Sequence, residues 1–209
     1  NKLSYFNRII KLLIQIQSIK HRKVKNFKNQ NYIIPKYDKK ILINEANLFC
    51  DWYAKNNLSK LRKKRFCKKF KKIIKELTLK LKLKDNIFVH RDFHVSNLMS
   101  VKNQIGLIDS QDALIGNKAY DLASLIDDVR LKTSYSFKEK IFKFYTKKQK
   151  NLDIKKFKND FEILSVLRNL KIIGIFTRLA LRDRKKNYLR FIPYTLSLIH
   201  ISEPTRPRS

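Results

Sequence analysis

His90-Arg91-Asp92-Phe93-His94-Val95-Ser96-Asn97, followed by Ile105-Gly106-Leu107-Ile108-Asp109, decides the reading of this chain of 209 residues. Asp92 and Asn97 stand five positions apart, and a second acid closes an apolar run twelve positions beyond Asn97. Ile87-Phe88-Val89 ahead of the loop reads as a short buried strand. Leu98-Met99 and Ile105 to Ile108 read as two more, with the polar Val101-Lys102-Asn103-Gln104 as the turn between them. A strand, a loop and a hairpin in that order bring Asp92, Asn97 and Asp109 to one edge.

Three oxygen-bearing side chains in this pattern suit phosphoryl transfer. That reaction asks the protein for positioning and charge neutralisation more than for covalent help. Asp92 is the candidate base that orients the proton of an attacking hydroxyl. Asn97 and Asp109 are the candidate ligands of Mg2+, which prefers hard oxygen donors, and ATP is the expected nucleotide. An isolated His-Arg-Asp is common by chance. The joint pattern, H-R-D-x-x-x-x-N with flanking apolar strands and the second Asp, matches the catalytic loop of kinase chemistry.

The stretch from Val89 to Asp128 resembles the aminoglycoside phosphotransferase and choline kinase-like superfamily, on Asp109, Gly116 and Asp121-Leu122-Ala123 as well as the loop. Only twelve residues separate Asp109 from Asp121, which leaves no room for a long activation segment, so a protein kinase is the poorer reading. Within that superfamily the chain is most similar to bacterial amino-sugar kinases of cell-wall recycling. Those enzymes phosphorylate the anomeric hydroxyl of N-acetylmuramate and N-acetylglucosamine. The similarity runs through Tyr37-Asp38 and Asn47 to Tyr53, through the loop with Ile108 to Ala113, and through Leu170 to Leu179 with Arg182-Asp183. One departure is Ser110, where the family usually places an aromatic residue after the metal-binding Asp.

The resemblance implies a mostly α fold with a small β-hairpin, the C-terminal lobe of a protein-kinase-like fold. It implies that His90 and Asp121 support the catalytic loop. On the substrate side it points to His94, Glu45, Asp112 and Asp128. Three of these have a plainer reading: Glu45 as the partner of a lysine at a helix edge, Asp128 as a solvated helix acid, His94 as a satisfied polar group. Rival substrates within the same chemistry are aminoglycosides, choline and homoserine. A non-catalytic basic binding module is the alternative outside it.

The glycines are Gly106, Gly116 and Gly174, and none forms a Gly-rich phosphate loop. No strand lysine for the nucleotide stands out either. Residues 1–196 therefore read as one lobe with its N-terminal partner lobe missing. Residues 197–209, ending Glu-Pro-Thr-Arg-Pro-Arg-Ser, read as a non-native or disordered tail.

A formal net charge of +32 invites a nucleic-acid reading. The 49 basic residues comprise 36 lysines and 13 arginines, a bias that goes with abundant Ile and Asn and fits an AT-rich coding sequence. Specific base contacts favour Arg forks, and runs such as Lys68-Lys69 and Lys71-Lys72 lie on a solvated helix face. No specific nucleic-acid partner is expected, only non-specific attraction to polyanions at low salt. Cys50 and Cys67 have no metal-ligand spacing and read as thiols in a reducing cytoplasm. No apolar run is long enough to span a membrane.

Apolar spacing predicts helices over 3–19, 38–55, 58–80, from 120 to about 130, over 137–149 and over 154–182. The segment 21–36 lacks a period and reads as a loop. The helix over 154–182 is apolar on most faces, which makes it the central buried helix, with Gly174 admitting a close neighbour.

Overall fold

The computed structural model describes residues 2–25, 27–102 and 104–201. It is dominated by helices, with three separate two-stranded antiparallel sheets. The chain divides into two compact units: Asn1–Asp38 with Lys82–Phe161, and Lys39–Leu81 with Glu162–Ser209.

The first unit opens with α1 (Lys2–Gln17), whose Phe6, Ile9, Ile10 and Leu13 are buried at helical spacing. Phe6 meets Phe137 of α6 (Tyr135–Lys147) edge-on, with ring centroids 5.1 Å apart. Ser134 caps α6 by accepting from the Phe137 amide. The expected loop over 21–36 instead contains a hairpin, β1 (Lys23–Lys25) with β2 (Asn31–Ile33). Every residue in both strands is exposed, so no buried face imprints alternation on the sequence.

Next come the strands that carry the loop. β3 (Asp85–Val89) pairs with β6 (Leu114–Asn117), and β4 (Leu98–Val101) pairs with β5 (Gln104–Leu107). Gly116 in β6 is a packing requirement, since a Cβ there would stand 2.9 Å from Cβ of Tyr37. Ile115 of β6 also exchanges backbone hydrogen bonds with Pro35 and Tyr37. α5 (Ala119–Ile126) follows at once and is buried along its whole length. It stops four residues short of the expected end, where Asp127 leaves the helical region with φ −101° and ψ 30°.

The second unit begins with α2 (Lys39–Leu48), which passes into a π-helical segment, Phe49–Ala54, and a last turn, α3 (Lys55–Asn57). The ring of Phe49 stacks on Phe70 of α4 (Lys60–Leu79), with centroids 5.5 Å apart. α7 (Ile154–Leu181) starts in the first unit, and its longer part belongs to the second. Leu164, Leu167, Leu170, Ile173 and Phe176 of that part are all buried. A further helix, α8 (Ile192–Ile201), extends past residue 197; residues 202–209 of the expected tail lie outside the described residues. Among the described residues no helix is long and apolar enough to cross a membrane.

Gly174 is where α7 meets the end of α2. A Cβ at that position would stand 2.6 Å from both Cβ and the carbonyl oxygen of Leu48. Alanine is a better helix former than glycine by about 1 kcal/mol, but backbone atoms cannot step aside. Gly174→Ala is therefore expected to destabilise the protein by about 2–3 kcal/mol. A thermal melt lowered by about 5–10 °C is the corresponding readout.

Candidate active site

β3 delivers the chain into the loop at His90. There the carboxylate of Asp121, wholly buried at the start of α5, accepts two successive backbone N–H groups: His90 at 2.7 Å and Arg91 at 3.0 Å. Charge-assisted bonds of this kind are roughly twice as strong as neutral ones. Further along, Asp128 is equally buried. One of its carboxylate oxygens accepts the Val95 amide at 2.9 Å, and the other takes the Arg130 amide at 3.0 Å and the Arg130 guanidinium at 3.3 Å.

The loop also closes on itself. The carbonyl of Asp92 accepts from the His94 amide and from Asn97 Nδ2, each at 3.0 Å. That orientation leaves Oδ1 of Asn97 as the oxygen turned away from the Asp92 carbonyl. The hairpin then brings the third residue home. Leu98 pairs with Leu107, and the Ile108 amide donates to the Asn97 carbonyl at 3.1 Å. Asn97 and Asp109 therefore flank the open end of one hairpin. Asp109 takes up the left-handed region at φ 70°, and its carboxylate accepts from Gln111 Nε2.

The His90 ring lies inside this arrangement. It is wholly buried, and burial pushes its pKa below the ordinary value. The carboxylates of Asp92 and Asp109 and the carbonyl of Ile108 oppose that shift without reversing it. Both acids therefore act on the same imidazole, from opposite ends of the loop sequence. The ring also faces Phe93 edge-on at 6.4 Å.

Among the described residues no cluster of three His, Cys, Asp or Glu could hold a metal ion by itself. The donors in place are an amide oxygen and a carboxylate, both hard. This fits Mg2+, which keeps several waters and binds through one or two carboxylates plus phosphate oxygens. His94 is buried within the loop, whereas the side chain of Asp112 is exposed, its carbonyl accepting from Arg91 Nη1 at 3.2 Å. Glu45 lies in the second unit, ion-paired with Lys171 at 2.9 Å, with both side chains mostly buried.

Sequence reasoning passed over three residues here. Arg91 sits at φ 71°, a region that costs a non-glycine residue energy, with its guanidinium over the Tyr37 ring at 5.3 Å. Gln111 reaches Asp109. Asp160 accepts the amides of Lys82 and Leu83 and Asn117 Nδ2, each at 2.8 Å, and so fixes the approach to β3. These three partners are 43 to 78 positions away, so no local pattern announces them.

A model of the phosphotransferase enzyme family matches residues 4–152. An N-acetylmuramate/N-acetylglucosamine kinase of Neisseria meningitidis is 32% identical over 173 residues, which cover 80% of this chain and 52% of that protein. A protein of the same description from Pseudomonas aeruginosa is 30% identical over 181 residues, covering 84% and 54%. The chain thus spans about half the length of these relatives. Among solved structures, an ethanolamine kinase of Plasmodium vivax superposes with a TM-score of 0.63 at 14% identity, covering 96% of this chain and 60% of the other. That likeness establishes the kinase-like fold.

Asp121→Asn keeps the size of the buried side chain but replaces one acceptor with a donor that faces a backbone N–H. The loss is expected to be about 2–4 kcal/mol, the cost of a buried charge-assisted pair left half unsatisfied. Urea unfolding measures it, and faster hydrogen exchange at the His90 and Arg91 amides localises it.

Proposed function

The chain belongs to the phosphotransferase enzyme family, and on that footing we propose that the whole protein transfers the γ-phosphoryl group of ATP to a hydroxyl of a small molecule. The acceptor in this reading is the anomeric hydroxyl of N-acetylmuramate or N-acetylglucosamine. Support for the sugar comes from the two relatives described above, both named for those substrates. The observation that supports the chemistry is the Ile108–Asn97 backbone bond, with Asn97 and Asp109 flanking the open end of the hairpin that follows Asp92.

Asp92 accepts a hydrogen bond from the acceptor hydroxyl and aligns its oxygen for in-line attack. Asn97 Oδ1 and the Asp109 carboxylate hold Mg2+. Bound there, the ion would supply neutralisation of the charge that develops on the transferring phosphoryl group. Asp121 and His90 position the loop from beneath. We assign Asp128 to the same positioning role, because both of its oxygens are engaged with Val95 and Arg130. His94 and Asp112 remain on the substrate side of this proposal. Glu45 contributes through its pair with Lys171. The use of ATP places the reaction in the cytoplasm.

ATP consumption by the full-length protein, measured across a panel of both amino sugars, an aminoglycoside, choline and homoserine, tests the proposal. Turnover is expected with the amino sugars, and none with either would sink the substrate assignment. Asp92→Asn is expected to lower kcat by about 10²–10⁴-fold. Asp109→Asn should raise the Mg2+ concentration needed for half-maximal rate. Full activity in the Asp92 variant would remove the mechanism.

A further inference from the structure

Two thiols meet inside the second unit, and phosphoryl transfer, as described, uses neither. Cys50 lies in the π-helical segment Phe49–Ala54 and is 1% exposed. Cys67 lies on α4 and is half-buried. Both are free cysteines, and the Cys67 side chain is within hydrogen-bond reach of the Cys50 thiol. The two belong to one continuous stretch of that unit, Lys39–Leu81.

The neighbouring rings explain the approach. Phe49 lies 5.5 Å from Phe70 and 6.2 Å from Phe66, centroid to centroid, and Phe66 and Phe70 stack on each other at 5.8 Å. Cys50 follows Phe49 in the chain, and Cys67 follows Phe66. The aromatic cluster therefore draws the two backbones together one residue before each sulfur. The i→i+5 wind that carries Cys50 is rare in helices and frequent at functional positions.

The two thiols differ in what can reach them. Cys67 is open to a small dissolved oxidant, whereas Cys50 is enclosed. Burial pushes the Cys50 thiol up, Cys67 and Asp51 push the same way, and Lys71 opposes them without reversing the shift. Cys50 is thus held as a protonated thiol behind an accessible partner. Reactive cysteines that sense oxidants are accessible and stand next to a second, resolving cysteine.

We propose that Cys50 and Cys67 are a redox-responsive pair that closes to a reversible disulfide when the protein meets hydrogen peroxide. The Cys67 thiolate attacks one peroxide oxygen, and the O–O bond breaks. A sulfenic acid forms on Cys67, and the departing hydroxide takes up the proton that the Cys67 thiol gave up and leaves as water. The Cys50 sulfur then attacks the Cys67 sulfur. The S–O bond breaks, the S–S bond forms, and the Cys50 proton leaves with the hydroxyl as a second water. Two thiols are oxidised and one peroxide is reduced, with no further reactant. A disulfide of this kind is transient in a reducing compartment, and it keeps Cys67 from climbing to the irreversible sulfinic acid.

Reduced full-length protein exposed to hydrogen peroxide, then alkylated, digested and mapped by mass spectrometry, tests this. A peptide joining Cys50 to Cys67, lost on treatment with dithiothreitol, is expected in wild type. Cys50→Ala stops the chemistry one step earlier. Dimedone, which traps sulfenic acids, should then label Cys67 at least about tenfold more than in wild type, where intramolecular attack outruns the trap. Cys67→Ser should leave Cys50 unoxidised, because the peroxide has no accessible thiol to meet first.

Absence of the joined peptide in wild type would overturn the proposal. So would equal dimedone labelling of Cys67 in wild type and Cys50→Ala, or links found only between copies of the chain on a non-reducing gel. If a variant does not fold, the wild-type peptide map decides by itself.

Discussion

One buried carboxylate holds the reactive loop to its scaffold. Asp121 has no exposure and accepts the amides of His90 and Arg91 in succession. Two adjacent backbone N–H groups can point to one side only if the chain turns sharply. Arg91 supplies that turn at φ 71°, despite its Cβ. A conformation costing of order 1–3 kcal/mol persists only where its surroundings over-determine it. The two bonds to Asp121, the bond from Arg91 to the Asp112 carbonyl and the Tyr37 ring supply that over-determination.

Once the loop is anchored at His90, the rest is set by backbone geometry. Asp128 holds Val95, the Asp92 carbonyl is bonded twice from within the loop, and Ile108 is tied to Asn97. Asp92 and Asn97 are thus held through main-chain atoms of the loop, which leaves their side-chain oxygens for other work, whereas one Asp109 oxygen accepts from Gln111. Asp109 takes its left-handed backbone at the point where β5 ends and the chain turns back toward β6.

Much of this was legible in the sequence because the signals are local. The spacing of Asp92, Asn97 and Asp109 and the polar turn after Met99 point to the loop and the β4–β5 hairpin. The apolar positions of α1 and α7 mark their buried faces. What escaped depends on distant partners or leaves no periodic imprint. β6 is four residues long and buried throughout, so alternation cannot reveal it, and its partner strand is about 30 positions earlier. β1 and β2 are exposed on both faces and lack alternation for the opposite reason. Asp160 and Arg91 owe their importance to groups far along the chain and to a dihedral angle, neither of which composition encodes.

The scarcity of acids gives the charge balance its meaning. With 17 acidic residues against 49 basic ones, a carboxylate has many possible exposed partners. Yet Asp121, Asp128 and Asp160 are almost wholly buried, and all three accept backbone amides. A surface ion pair would contribute roughly 0–1 kcal/mol, whereas a buried carboxylate on two amides fixes a stretch of main chain. Few acids remain near the loop, and those are the half-buried Asp92 and the exposed Asp109 and Asp112. In the proposed function Asp109 is offered to a divalent cation and Asp92 to the acceptor hydroxyl. The surrounding field favours the arrival of a polyanion such as a nucleotide, over a reach of about 8 Å at physiological salt. The same excess charge that suggests nucleic acid in the composition is thus compatible with a nucleotide-using site, because Asp121, Asp128 and Asp160 are withdrawn from the surface and placed against the backbone while Asp109 stays exposed.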